Sequence, residues 1–243
     1  MKLSNWTTLA LMLTAMGSLS SAHAGMSLVG TRVIYPATER EVTVQMSNRG
    51  EDPRVVQSWI DDGDSKVDAT TAKAPFLITP PLARVEPGKG QTLRISFTGD
   101  PGSMPQDRES VYWLNVLEIP PKPKDVAKNY LQFAVRTRVK IFYRPEGLAG
   151  DPVSAIQNVS WHLVHKDGGM AVECINPSQY NVSVADVRLK DAPVDTTIGK
   201  GGLCPAKGRE TFVLKGGSDS GRLVYRAIDD YGAYIDREAA YSR

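Results

Sequence analysis

Leu131-Gln132-Phe133-Ala134-Val135-Arg136-Thr137-Arg138-Val139-Lys140-Ile141-Phe142-Tyr143 is the stretch whose reading decides the fold. It lies in the longest run of the chain without glycine or proline, Lys124 to Arg144, so on length alone it could be a helix. Stepping by two from Leu131 collects Leu131, Phe133, Val135, Thr137, Val139, Ile141 and Tyr143, while the other parity holds Gln132, Ala134, Arg136, Arg138 and Lys140. A helical stripe from Leu131 would instead mix Ala134, Val135 and Arg138. A period of two, apolar against cationic, is the mark of a β-strand.

Outward from this strand the same texture repeats. Thr43 to Met46, Val55 to Ile60, Phe76 to Ile78 and Thr92 to Phe97 alternate, with Asp61-Asp62-Gly63-Asp64, Pro80-Pro81 and Pro87-Gly88 as turns between them. Downstream, Val159 to Val164, Met170 to Ile175, Asn181 to Leu189, Thr211 to Leu214 and Arg222 to Ala227 continue it. Many short strands at such spacing predict all-β sandwiches. Arg144-Pro145-Glu146-Gly147-Leu148-Ala149-Gly150-Asp151-Pro152, with two prolines and two glycines, is the best linker in the chain. The expected division is therefore a first domain over 25–146 and a second over 150–243, each of a size that suits an immunoglobulin-like sandwich.

Residues 1–24 form a separate unit. Lys2, the apolar stretch Leu9 to Met16 and the small-x-small end Ala22-His23-Ala24 have the pattern of a secretory signal peptide cleaved after Ala24. The apolar run is shorter than the ~20 residues of a spanning helix, and no later segment reaches that length, so no membrane insertion is expected. Export brings the chain to an oxidising compartment where Cys174 and Cys204 can pair, contributing about 3–4 kcal/mol; the alternative is two buried thiols.

Charge and motif content narrow the function. The 29 basic and 27 acidic residues of the 243 give a formal charge of +2, without the basic excess that nucleic-acid binding requires. His162 and His165 face opposite sides of a strand, two cysteines are too few for a thiolate zinc site, and Asp61, Asp62 and Asp64 lack the closing glutamate of a calcium loop. Gly88-Lys89-Gly90-Gln91-Thr92 lacks phosphate-loop spacing and reads as a turn. No nucleophile–base motif is present. Neither an enzyme nor a metal or other cofactor is expected. The apolar row Leu131, Phe133 and Val135 either faces a sandwich core or serves as a template for another chain added at a sheet edge.

Met104-Pro105-Gln106-Asp107-Arg108-Glu109-Ser110-Val111-Tyr112-Trp113-Leu114-Asn115-Val116-Leu117-Glu118-Ile119-Pro120-Pro121 resembles the signature of the periplasmic pilus chaperones of the chaperone-usher pathway, the PapD-like family. Gly30-Thr31-Arg32, Val139-Lys140-Ile141-Phe142-Tyr143-Arg144-Pro145 and Asp229-Asp230-Tyr231-Gly232 extend the likeness over the whole mature chain. The resemblance implies two immunoglobulin-like domains in a boomerang, a periplasmic location, and pilus subunits and an outer-membrane usher as partners. It further implies that Arg32 and Lys140 bind the C-terminal carboxylate of a subunit. Leu131, Phe133 and Val135 would complete the subunit's sandwich by donor-strand complementation.

Lys140 has the opposite parity to that row, so twist, a bulge or a strand change would have to reconcile the two roles. The resemblance also maps an interdomain ion network onto Glu109, Arg144 and Asp230, against which stands the reading of three ordinary surface charges. The segment Lys122 to Tyr130, without cysteine, is similar to the short-loop branch of the family. The rival function is that of a secreted structural sandwich, such as a pilus subunit or adhesin module.

Overall fold

The computed structural model describes residues 25–122, 131–166, 169–190, 199–214 and 220–242. The proposed signal peptide, 1–24, and most of the short segment after Lys122, 123–130, lie outside the described residues.

The first domain is a sandwich of two sheets. One holds β1 (Met26–Leu28), β3 (Glu41–Asn48), β7 (Gly90–Phe97) and β5 (Phe76–Thr79), in the order β1-β3-β7-β5. The other is ordered β2-β9-β8-β4-β6, from β2 (Arg32–Pro36), β9 (Val135–Arg144), β8 (Ser110–Ile119), β4 (Arg54–Asp61) and β6 (Leu82–Val85). Alternate residues of each strand meet in the core: Val44 and Met46, Val56 and Ile60, Leu93 and Ile95, Leu114 and Val116, Ile141 and Tyr143. Tyr35, wholly buried, donates its hydroxyl to the carbonyls of Glu39 and Arg40 and accepts the Phe97 N–H, tying the two sheets at one corner.

The β8–β9 ladder runs without a register shift from Ser110 opposite Tyr143 to Glu118 opposite Val135. Beyond Ile119 come Pro120 and Pro121, which have no N–H to donate. The strand therefore begins at Val135, later than the alternation from Leu131 predicts, and Leu131 and Phe133 precede the ladder.

The second domain contains α1 (Pro152–Gln157), β10 (Ser160–Lys166), β11 (Gly169–Asn176), β12 (Val182–Leu189), β13 (Gly199–Cys204), β14 (Gly208–Val213), β15 (Ser220–Ile228) and β16 (Tyr234–Ser242). These strands hydrogen-bond in the order β13-β12-β15-β16-β10-β11-β14 around a core that includes Trp161, Val172, Phe212 and Tyr225. The sheet folds on itself at the parallel β10–β16 pair. Cys174 of β11 and Cys204 of β13 form a disulfide with their Cα atoms 6.1 Å apart, linking strands far apart in that order. Helix α1 begins at Pro152, the last residue of the linker, and fills a stretch to which sequence reading assigns no element. Asp151 caps it, accepting the Ser154 N–H at 2.9 Å, and Pro152 supplies a preset first turn.

Ile141 and Val135 share a face of β9, yet Ile141 is wholly buried and Val135 is 54% exposed. Ile141→Ala is expected to cost about 2–5 kcal/mol of folding stability and Val135→Ala less than about 0.5 kcal/mol, read from urea unfolding curves.

Candidate functional site

In the five-stranded sheet, one line of paired residues crosses four strands on the face away from the core. Asp61 of β4 stands opposite Trp113 of β8, Trp113 opposite Lys140 of β9, and Lys140 opposite Arg32 of β2. Side chains paired in this way project on the same side. Arg32 and Lys140 are thus neighbours by register. Arg32 reaches the second domain, where its Nη1 donates to the carbonyl of Ile228 at 2.9 Å. Lys140 Nζ lies 5.0 Å from the centre of the Trp113 ring and has no ion-pair partner among the described residues. Burial, then repulsion from Arg32 and Arg138, lowers its pKa to about 8. Burial also lowers the Arg32 pKa, although Asp230 and Asp229 oppose the shift. Two cations held side by side, partly desolvated and short of counter-charge, make a site for an anion.

The turn Asp229-Asp230-Tyr231-Gly232, between β15 and β16, packs against the start of β2. Gly232 adopts φ 88°, and a Cβ there would press on Thr31 Oγ1, so glycine is required twice over.

The other cations of the face are neutralised. Asp61 is fully buried; its Oδ1 accepts Arg138 Nη2 at 2.5 Å and the Gly63 N–H at 2.8 Å, and its Oδ2 accepts Asn115 Nδ2 at 2.7 Å. Burial pushes its carboxyl up, but these bonds hold it below its ordinary value. Arg136 donates through Nε and Nη2 to Asn115 Oδ1 at 2.8 and 2.6 Å. Its guanidinium lies over Trp59, and that of Arg138 over Trp113, at 4.8 and 4.1 Å from the ring centres. Sequence reading missed Asp61, Asn115, Trp59 and Trp113 as site residues. The signal that could have found them was the cationic parity of the strand, which needs acids and aromatic faces opposite it.

The apolar row lies in the open. Leu131, Phe133 and Val135 are 79%, 68% and 54% exposed, which excludes the core reading for them. Strand β2 pairs in parallel with β9 only from Arg32 opposite Lys140 to Pro36 opposite Arg144. Among the described residues, Val135 to Val139 pair on one side alone, with β8. The edge opens where β2 begins, at Arg32. Because the register is unbroken, Val135 and Lys140 remain on opposite faces, and no bulge or strand change lies between them.

Glu109, Arg144 and Asp230 come together between the domains. Arg144 Nε donates to Glu109 Oε1 at 2.7 Å and Nη2 pairs with Asp230 Oδ2 at 2.9 Å. The other Glu109 oxygen accepts the backbone and side-chain N–H groups of Asn181, at 2.8 and 3.1 Å, and the Glu109 N–H donates to the carbonyl of Gln179. The Glu109 carboxylate is 1% exposed, and burial raises its pKa despite these donors. Burial disfavours the Arg144 cation, but Glu109 and Asp230 raise its pKa overall.

Residues 25–149 match the family model of the pili and flagellar-assembly chaperone PapD N-terminal domain, and residues 154–239 that of the pili assembly chaperone PapD C-terminal domain. The chaperone protein FimB/FhaD of Bordetella pertussis is 42% identical over 223 residues, covering 90% of this chain and 89% of that protein. The probable fimbrial chaperone YadV of Escherichia coli strain K12 is 37% identical over 242 residues, covering 96% of each. The crystal structure of YadV aligns with a TM-score of 0.74 at 34% identity, over 89% of this chain and 100% of that one. A chain of the Salmonella enterica SafA pilin complex with the SafB chaperone aligns with a TM-score of 0.73 at 27% identity, over 90% and 96%.

Truncating Arg144 to alanine leaves Glu109 buried and unpaired. The substitution is expected to cost about 3–5 kcal/mol, and adding Glu109→Gln to it should recover part of the loss, as measured by chemical denaturation of the single and double variants.

Proposed function

This chain belongs to the PapD-like family of pili assembly chaperones, and from that premise we propose that Arg32 and Lys140 hold the C-terminal carboxylate of a pilus subunit while Leu131, Phe133 and Val135 fill the gap in its sandwich. The protein is a pilus assembly chaperone of the chaperone-usher pathway, whose partners are pilus subunits and an outer-membrane usher. It acts in the periplasm after removal of residues 1–24, where an oxidising environment suits the Cys174–Cys204 bridge. The three charges Glu109, Arg144 and Asp230 fix the angle between the domains and so the width of the cleft.

One observation carries the reading: two cations, neither of them in an ion pair among the described residues, are neighbours at the point where the edge of β9 becomes free. A strand laid along the free edge in line with β2 abuts Arg32. If it runs parallel to β9, it ends there in a carboxylate, which the two cations attract. If it runs antiparallel, it presents an ammonium there, which they repel. Charge therefore selects parallel addition. The carboxylate lies in the plane of the sheet, at the junction of β2 and β9, so it does not need to share a face with the apolar row. The difference in parity between Lys140 and Leu131, Phe133 and Val135 then needs no bulge. The cations set where the added strand stops, and main-chain hydrogen bonds carry that register back to the row.

Arg32→Ala and Lys140→Ala should fold normally and bind subunit about 10- to 100-fold more weakly, in keeping with one charge-assisted hydrogen bond lost. Phe133→Asp should weaken capture too, by placing an unpaired charge in an apolar groove. Pull-down from periplasm with co-expressed subunit checks all three; equal capture by wild type and the cation variants would refute the anchor. Capture should also decline as pH rises through about 8, because the free Lys140 titrates there and only its protonated form attracts the carboxylate. Lys140→Arg should hold its affinity to higher pH, as titration calorimetry at several pH values would show.

A further inference from the structure

At the far end of the same sheet a buried carboxylate stands beside the first residue of the mature chain. Glu118 is 9% exposed and lies on the inner face of β8, paired across the sheet with Val56 on one side and Val135 on the other. Its Oε2 accepts the Met26 N–H at 2.9 Å, and its Oε1 lies 3.3 Å from Arg54 Nη1. Gly25 adjoins it closely: a Cβ at residue 25 would fall on the Glu118 carboxyl group, which Arg54 and Met26 hold in place. Only glycine permits that approach. The Gly25 carbonyl is meanwhile fixed by the N–H of Arg49 at 3.0 Å. The amino nitrogen hangs from the same Cα, so a partial turn about the Gly25 Cα–C bond moves it toward the carboxylate.

We infer that Glu118 is a binding site for the α-ammonium group of Gly25, created by signal-peptide removal, and that this ion pair clasps β1 to the end of the sheet where the free edge of β9 starts. The inference rests on cleavage after Ala24. Hydrolysis of the Ala24–Gly25 bond adds one water, leaves a carboxylate on Ala24 and an amine on Gly25, and that amine takes up a proton near neutral pH, its ordinary pKa being about 7.7–8.0. Before cleavage the same nitrogen is an uncharged amide. Processing thus supplies a second cation to a carboxylate that, among the described residues, is ion-paired with Arg54. Because Glu118 is the residue paired with Val135, the clasp steadies the inner-face neighbour of the first laddered residue in the apolar row.

The test measures the titration of the amine itself. The charged group paired with Glu118 is Arg54 of β4; Arg136 of β9 turns to Asn115 on the opposite face, and Arg49, whose N–H holds the Gly25 carbonyl, belongs to the β3–β4 connection together with Glu51 and Asp52. Mass spectrometry of the protein purified from periplasm first establishes Gly25 as the initial residue. NMR of the protein carrying isotope-labelled glycine then follows the Gly25 amine from pH 6 to 11. In wild type it should titrate roughly one unit above the ordinary range. In Glu118→Gln it should return to that range. A chain with one alanine inserted before Gly25 keeps the Glu118–Arg54 pair and its fold but moves the amine away, and should return likewise. A raised pKa in the folded state means that the clasp stabilises fully below about pH 8 and that this stability is lost as pH rises through the raised value. A wild-type amine that titrates in the ordinary range overturns the inference. So does an initial residue other than Gly25, which would refute the cleavage position while leaving subunit capture by Arg32 and Lys140 untouched.

Discussion

Strand β2 pairs with β9 over five positions and no more, and this shortness makes one strand serve two purposes. Over its second half β9 is an interior strand, hydrogen-bonded on both sides, with Ile141 and Tyr143 in the core. Over its first half it is an edge. Unpaired main-chain groups at an edge invite another chain, and here the invitation has a fixed end, because Arg32 caps the space in which an incoming strand can lie. The donor row upstream of the ladder would gain nothing from exposure if the register of the incoming strand were free to slip, since a slip by one residue presents the other face.

Keeping the cap charged is costly for the fold. Lys140 sits among cations in a half-buried place, and burial together with repulsion from Arg32 and Arg138 lowers its pKa. The neighbours of Lys140 have partners, whereas Lys140 has no ion pair among the described residues. Arg138 is matched by the buried Asp61, and Arg136 by Asn115 and the face of Trp59. Arg32 has a carbonyl from the second domain. The second domain is held in range of Arg32 by Arg144, which bonds to Glu109 of the first domain and Asp230 of the second. Lys140 and Arg144 thus lie four residues apart on the same face of β9, Lys140 beside Arg32 and Arg144 bonded to both domains.

The alternation at Leu131 to Tyr143 was legible because side-chain direction on a strand follows from position alone. The same rule located β3, β4, β5, β7, β10, β11, β12, β14 and β15, and it did not pick out β1, β2, β6 or β8. It failed for β13, where Gly199, Gly201 and Gly202 provide no alternation, and for β16, where exposed Asp236 and Glu238 alternate with half-buried residues that are not all apolar. Helix α1 is too short to show a period, and only Asp151-Pro152 announces it. In the site, Arg32, Lys140 and the network of Glu109, Arg144 and Asp230 came from family resemblance, since nothing in the pattern separates them from other surface charges. Asp61 was read as part of a turn. It is one, through its bond to Gly63, but it also bonds Asn115 and Arg138 from distant strands, and no local rule reveals such partners.

The free edge of β9 also determines what this chain will refuse. Two copies meeting antiparallel along Val135 to Val139 would set Arg136 of each against Arg138 of the other. Like charges directly opposite each other weaken a strand pair. The penalty is tempered where Arg138 is paired with Asp61 and Arg136 bonded to Asn115. An exposed, unpaired edge is ordinarily an invitation to fibrils; here Arg136, Arg138 and Lys140 stand on alternate positions along the strand, and charged side chains of this kind blunt such pairing.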